Sequence, residues 1–402
     1  MEIRTQIWLD RFVGRWICRL LSLFRCRRDD PADGTVPRRL LVILLSEMGS
    51  LVLAKPMFAR LRALRPDMDI HVLLFEHSRE ILEAVIDLPA ENVLTVRNAD
   101  LRCFVRDSIA VLGRMRKAKI EAVIDCELFS RISSIYSRLS GAAIRVGFER
   151  HTQEGLYRGG YINRPVLYSP HIHISHQFIT LAEALTSTTY PKAKRVVPEG
   201  LPDLEPMEVA AGEVEAARAK LEKDFPGVAG RKLVLVYPGG GALPIRAWPV
   251  DSFAELCGKL CDAGHGVCVI GTAAERGHAE RIVAHCDNAR CVDLAGYTGT
   301  LRELLLIFHF ASLLVTNDGG PGHFASLTPL PAIVLYGPET PVLYGSLSRR
   351  AENLYRPVSC SPCLTAYNFR VSPCDGDNLC LKRITVDEVF AGAKAVLERS
   401  HL

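Results

Sequence analysis

Apolar and polar positions follow two rhythms along the chain, and the switch between them recurs. Residues 39 to 45, Arg-Leu-Leu-Val-Ile-Leu-Leu, form an unbroken apolar run; the text then turns at Ser46-Glu47-Met48-Gly49-Ser50 and takes up helical spacing through Leu64. A buried parallel strand, a glycine turn and a helix give this order, because a strand covered on both faces keeps no polar side. Ile70 to Phe75 and Ala122 to Ile124 read as further strands, with helices over 79–86, 105–117 and 130–139. From about 187 to 230 the pattern lapses into Pro-rich text and one charged helix, Val214 to Asp224. It then resumes with strands at Lys232–Tyr237, Val267–Gly271, Leu313–Asn317 and Ala332–Tyr336. Strands alternating with helices in two series predict an α/β chain of two doubly wound, Rossmann-like lobes facing each other across a cleft. The expected boundaries are an N-terminal lobe over 38–200, an interlobe linker over 201–230, a C-terminal lobe over 231–390 and a closing helix over 386–402. No internal repeat or low-complexity tract interrupts them.

The first 30 residues have a different pattern. Ile7, Trp8, Leu9, Phe12, Val13, Trp16, Ile17, Leu20, Leu21, Leu23 and Phe24 recur at helical spacing, with Arg11, Arg15 and Arg19 as an opposing stripe. A spanning helix needs roughly 20 mostly apolar residues, and three Arg with Asp10 interrupt this run. A secretory signal would place its charges ahead of an uninterrupted apolar centre. The remaining functional reading is an amphipathic helix lying among lipid headgroups, with Arg25, Arg27 and Arg28 facing anionic lipid. The plainer alternatives are a helix whose apolar face packs on its own protein and a cleaved targeting segment. The stretch Asp29 to Gly34 reads as a linker.

Composition sharpens this picture in three respects. A chain of 402 residues, 48% hydrophobic, can bury two cores. Residues 1 to 28 carry seven Arg against Glu2 and Asp10, hence +5, while the whole chain carries +4; the basic field belongs to one end and excludes a general nucleic-acid partner. Of the thirteen Cys, nine are scattered singly, mostly beside apolar neighbours, as reduced thiols of a cytoplasmic protein would be. Cys360, Cys363, Cys374 and Cys380 lie in one Pro- and Asp-rich loop, where a zinc site, disulfides and free thiols all remain open.

Function in open α/β sheets sits in the loops after strands. After the first strand of the second lobe comes Tyr237-Pro238-Gly239-Gly240-Gly241-Ala242-Leu243-Pro244-Ile245-Arg246-Ala247-Trp248-Pro249. Gly239, Gly240 and Gly241 allow close backbone approach, so their N–H groups can cradle phosphate, with Arg246 as a fixed cation. An ordinary flexible turn is the competing reading. A second loop, Asn317-Asp318-Gly319-Gly320-Pro321-Gly322-His323, follows a strand and opens a helix, whose first N–H groups favour an anion such as diphosphate. Asp318 suits sugar hydroxyls, which donate hydrogen bonds to a carboxylate, or serves as a helix cap. His323 can reach phosphate or satisfy the loop backbone.

With these loops in view, the second lobe resembles glycosyltransferase family 9, the heptosyltransferases of lipopolysaccharide core assembly. The ordered matches are Pro238-Gly239, Arg246-x-Trp248-Pro249, Val269-Ile270-Gly271, Leu294-Ala295-Gly296-x-Thr298, Asn317-Asp318-x-Gly320-Pro321-x-His323 and Leu335-Tyr336-Gly337-Pro338-x-x-Pro341. Weaker matches begin at Leu44 and include Gly49, Pro56 and Gly147-Phe148. The resemblance implies a GT-B fold, an ADP-heptose-like donor as substrate and inversion at the anomeric carbon. The acceptor is expected to be lipid-linked or a saccharide, a lipid-linked one matching the basic amphipathic end, and no cofactor or metal is expected where Arg246 and the helix N-terminus stabilise the departing phosphate. Arg246 stands where the family has a phosphate-binding lysine, and Gly319 replaces a usual Thr or Ser.

The departure that matters most is in the first lobe. The family's Ser-x-x-Gly-Asp loop supplies the Asp that deprotonates the acceptor, and here Ser50 occupies that position. A serine is no base unaided, so Glu47, three residues earlier, is the leading substitute, with Asp125 and Glu127 as alternatives. Two further classes stay open: a membrane-associated homologue that binds nucleotide-sugar without catalysis, and a nucleotide-sugar epimerase. The expected location is cytoplasmic, peripheral on the inner face of the cytoplasmic membrane.

Overall fold

The apolar runs become two parallel six-stranded sheets in a computed structural model that describes residues 3–23, 34–45, 47–202, 204–241 and 243–399. Phe24, Arg25, Arg27, Arg28, the linker over 29–33, Ser46 and residues 400–402 lie outside the described residues. The chain divides into two units, Met1–Pro202 and Asp203–Leu402.

In the first unit, β1 (Arg39–Ile43), β2 (Asp69–Phe75), β3 (Val93–Val96), β4 (Ala122–Asp125), β5 (Ile144–Glu149) and β6 (Arg164–Leu167) take the order β3-β2-β1-β4-β5-β6. In the second, β7 (Leu233–Tyr237), β8 (Gly266–Gly271), β9 (Cys291–Ala295), β10 (Leu313–Asn317), β11 (Ala332–Tyr336) and β12 (Ala351–Tyr355) take the order β12-β11-β10-β7-β8-β9. The two sheets share one topology, winding one way from the first strand and the other way from the fourth. Each therefore has a switch point, at β1/β4 with Ile43 opposite Asp125 and at β7/β10 with Tyr237 opposite Thr316. Loops diverge there, and the crevice they leave is where such sheets bind ligands.

The sequence expectation leaves out β3, β5, β6, β9 and β12, and of these β5, β6 and β12 carry charged or proline residues that break the apolar run. In β5 the buried Arg145 is accommodated because its guanidinium donates to the carbonyls of Tyr161 (2.6 Å) and Ala142. Edge strand β6 carries Pro165, which has no N–H to give a ladder and is tolerated at an edge, and edge strand β12 carries Glu352-Asn353, whose polar side chains stay in solvent. The helix Leu101–Lys117 starts four residues before the sequence expectation, because Asp100 accepts the Cys103 N–H (2.8 Å) and caps it. Within 201–230, the helix Ala211–Asp224 packs on Leu301–Phe310, with Arg218 5.4 Å from the Phe310 ring. The second core gathers Trp248, Phe253, Val267, Val315 and Leu335 with the helix Val386–Arg399, and the Trp248 indole donates to the Ile384 carbonyl (3.0 Å).

At the N-terminus an α-helix Ile3–Leu9, a π turn Asp10–Gly14 and an α-helix Arg15–Leu23 run on from one another. The side opposite the aromatic residues carries Asp10, Gly14 and Cys18, which pack on the helix Arg131–Leu139 and Tyr161. That corrects the reading of Arg11, Arg15 and Arg19 as the opposing stripe, since all three are exposed beside the aromatics. Among the described residues no helix is long and apolar enough to cross a membrane.

The described cysteines are free, and no described group of His, Cys, Asp and Glu has an arrangement that holds a metal. Cys360 and Cys374 are exposed, whereas Cys380 is buried against Gly337. Folding also assembles what looked scattered: the Cys291 thiol is in contact with those of Cys257, Cys261 and Cys286.

Candidate functional site

In the second unit the last residue of β10 organises the switch point. The Asn317 amide nitrogen donates to the carbonyls of Pro238 (3.0 Å) and Gly239 (2.9 Å), and its oxygen accepts from the Trp248 N–H (2.9 Å). One buried side chain thus holds both ends of the glycine loop. The loop is tight enough to require its glycines: a Cβ at Gly239 would lie 2.0 Å from a Glu275 oxygen, and Gly241 has φ +57°. Glu275 in turn accepts from the Tyr237 hydroxyl (2.7 Å) and the Thr272 N–H (2.9 Å).

Beyond the glycines the 3₁₀ turn Pro244–Arg246 carries Arg246 inward, leaving it only 5% exposed. Its Nη1 lies 3.9 Å from Asp318 and 3.6 Å from Glu339, and Arg370 Nε lies 3.2 Å from Glu339. Two guanidiniums and two carboxylates therefore share one largely buried pocket of charge. Such a group survives burial because its members neutralise one another. Tyr336 lies below them, its hydroxyl donating to the Tyr344 carbonyl (3.0 Å). Burial, reinforced by the negative charges of Asp318 and Glu339, pushes that phenol well above its ordinary range, so it stays neutral. After Asp318 the backbone is extended at Gly319 and then forms the single turn Gly320–Phe324, with Pro321 at its start and His323 buried.

In the first unit the corresponding switch point gathers carboxylates. Glu47 has extended backbone and precedes the short helix Met48–Leu53, and its carbonyl accepts the Ser50 N–H (3.1 Å). Both side chains are half-buried. Glu127 reaches the end of β1 and accepts the Leu45 N–H (2.6 Å). Asp125 is fully buried, with one oxygen bonded to Arg158 (2.7 Å) and Ser133 (3.0 Å) and the other to the Glu127 N–H (3.1 Å). Burial raises its carboxyl to about 6 even though Arg158 opposes that shift. A pKa near neutrality is usual for a catalytic base, but both oxygens of Asp125 are committed internally. It holds the loop that carries Glu127.

A family model described as glycosyltransferase family 9 (heptosyltransferase) matches residues 110–370, well over half of the chain. The chain belongs to glycosyltransferase family 9. A lipooligosaccharide heptosyltransferase 2 of Haemophilus ducreyi is 23% identical over 319 residues, spanning 78% of this chain and 87% of that protein. Among solved structures, the E. coli ADP-heptose lps heptosyltransferase II aligns with TM-score 0.70 at 22% identity, over 90% of this chain and 100% of that one. An E. coli heptosyltransferase with ADP-2-deoxy-2-fluoro heptose aligns with TM-score 0.61 at 17% identity, over 89% and 99%. These likenesses fix the fold of the glycosyltransferase as GT-B.

Sequence reasoning singled out Gly239, Gly240, Gly241, Arg246 and Asn317 to His323, and folding brings them to one switch point of this glycosyltransferase. It missed Glu339 and Arg370, which pair with each other beside Arg246. The signal for Glu339 was a carboxylate in the loop Gly337-Pro338-Glu339-Thr340-Pro341 directly after a buried strand; Arg370 lies in irregular text and carried none.

Two outcomes follow for the glycosyltransferase. Replacing Arg246 with Ala should weaken nucleoside diphosphate binding by about 1.5–3 kcal/mol, the worth of a charge-assisted contact, as measured by titration calorimetry. Unchanged affinity would show that Arg246 serves only Asp318 and Glu339. Asp125→Ala should destabilise the protein by about 3–5 kcal/mol in denaturant unfolding, because it leaves the Arg158 guanidinium buried without its carboxylate.

Proposed function

We propose that this glycosyltransferase moves a heptose-like sugar from an ADP-activated donor to a lipid-linked or saccharide acceptor in cell-envelope glycan synthesis, with inversion at the anomeric carbon. The observation that carries the reading is the convergence of the glycine loop, Arg246 and Asp318 at the β7/β10 switch point, in a chain whose family is that of the heptosyltransferases. In this reading the diphosphate lies against Gly239, Gly240 and Gly241 and the turn Gly319-Gly320-Pro321-Gly322, with Arg246 and His323 as its side-chain partners. Asp318 accepts hydrogen bonds from sugar hydroxyls.

The reaction is a single displacement. An acceptor hydroxyl oxygen forms a bond to the anomeric carbon while the bond from that carbon to the phosphate oxygen breaks, and the nucleoside diphosphate leaves with the electron pair. Arg246 and backbone N–H groups stabilise the charge that builds on the departing phosphate. The acceptor proton passes to Glu47. This assignment is supported by elimination, since Asp125 is sealed and an oxygen of Glu127 is bound to the Leu45 N–H, while Glu47 retains partial exposure three residues from Ser50. The protein works on the inner face of the cytoplasmic membrane, a location supported by its basic, aromatic N-terminal helix.

Ser50, at the family's aspartate position, favours one rival, a homologue that binds donor and transfers nothing. Glu47→Gln separates the two. It should slow transfer by about 10²–10⁴, the usual worth of a positioned base, at unchanged donor affinity. Ser50→Asp should partly restore the rate in that background. Normal turnover by Glu47→Gln would place the base elsewhere, and a wild-type protein that binds donor yet transfers to no acceptor would leave the binding-only reading.

A further inference from the structure

The N-terminal helix is fastened to the first unit by its small and polar residues and by Leu21, while Trp8, Phe12, Val13, Trp16, Ile17, Leu20 and Leu23 are exposed. Asp10 provides the firmest contact. One of its oxygens accepts the backbone N–H groups of Arg131 (2.8 Å) and Ile132 (2.9 Å), and the other lies 3.4 Å from the Arg131 guanidinium. These N–H groups open the helix Arg131–Leu139, have no partner within that helix, and make no side-chain cap with Ser130. A carboxylate from a distant segment thus caps this helix and meets the positive end of its dipole. One turn on, a Cβ at Gly14 would fall 2.9 Å from the Arg131 Cβ, so only glycine lets the two helices come this close. Cys18 then receives the Tyr161 hydroxyl (3.3 Å), and Ser22 bonds to Tyr157 (3.0 Å) and receives the Gly160 N–H (3.1 Å).

Asp10, Gly14, Cys18 and Ser22 are four apart, and so are Trp8, Phe12, Trp16 and Leu20 on the other side. A regular α-helix would let such rows drift around its axis. The π turn Asp10–Gly14 takes up an extra residue, which keeps each row on its own side. The outer row is 54%, 57%, 67% and 56% exposed, and Leu23 after it is 77% exposed. A helix that packed on its own protein through its apolar face would bury the aromatic row and expose Asp10 and Ser22; here the arrangement is reversed.

We infer that the outer row is a lipid-docking face whose orientation is fixed by the Asp10 latch, so that the helix seats on the membrane without leaving the first unit. This rests on the peripheral-membrane reading above and adds which residues meet lipid and what aims them. Charge decides for lipid over a protein partner. Arg11, Arg15 and Arg19 are interleaved with the aromatics along the whole row, with Arg19 5.1 Å from the Trp16 ring. The core of a protein interface is depleted of charge, whereas an in-plane helix needs cations level with headgroup phosphates beside rings among the acyl chains.

Full-length protein, Phe12→Glu/Trp16→Glu and Asp10→Ala/Gly14→Val are mixed with vesicles of phosphatidylglycerol and phosphatidylcholine. Sedimentation reports binding, and hydrogen exchange reports protection at residues 131–134. The expected results are binding by the wild type that falls more than about tenfold in the first variant, protection unchanged when the wild type binds, and protection lost with binding retained in the second variant. Failure of the wild type to bind would overturn the membrane reading itself. Equal binding by the first variant would show that lipid meets another surface, and loss of protection on wild-type binding would show that the helix swings free. Concentration-dependent dimerisation abolished by Phe12→Glu/Trp16→Glu would assign the face to a second copy of the chain instead.

Discussion

A single buried amide, that of Asn317, ties together the glycine loop and the loop that opens at Asp318. It takes two carbonyls from the start of the glycine loop and one N–H from its end, and it occupies the last position of the strand that leads into Asp318. It adds to the β7/β10 ladder a fixed link between the two loops, where the glycines that make close backbone approach possible also leave the backbone conformationally free. The amide suits the task through its composition: it donates at one end and accepts at the other, and it carries no charge that would need a buried counter-ion.

Charge at the site is balanced within the protein. Arg246 and Arg370 face Asp318 and Glu339, so a buried cation can be held ready without a large cost in stability. Separations of 3.6 and 3.9 Å from Arg246 to the carboxylates are those of charge contacts; hydrogen bonds are shorter. The first unit uses buried charge differently. There Asp125 and Arg158 meet at 2.7 Å with every oxygen of Asp125 occupied, which ties the loop after β4 to the helix that follows it.

The N-terminal helix joins the same framework. Asp10 caps the helix that follows the β4 loop, and Ser133 of that helix holds Asp125. The N-terminal helix and the buried carboxylate at the end of β4 therefore share one packed element, the helix Arg131–Leu139.

The sequence by itself determined the two wound sheets, because continuous apolar runs separated by helical spacing have only one economical burial. It also marked the glycine loop, Arg246 and Asp318, since each lies directly after such a run. It could not place Glu339 against Arg246, or Arg370 against Glu339, because these contacts join loops 93 and 31 residues apart and leave no periodic trace. Nor could it separate Asp125, Glu127 and Glu47, three carboxylates of like intrinsic acidity; burial and internal hydrogen bonds, which exist only in the folded unit, sealed the first and bound the second to the backbone. The amphipathic pattern of the first 23 residues announced an apolar face. Which face meets the protein was decided by tertiary packing, since Asp10 finds the open end of a helix about 120 residues away, and only Gly14 lets it approach.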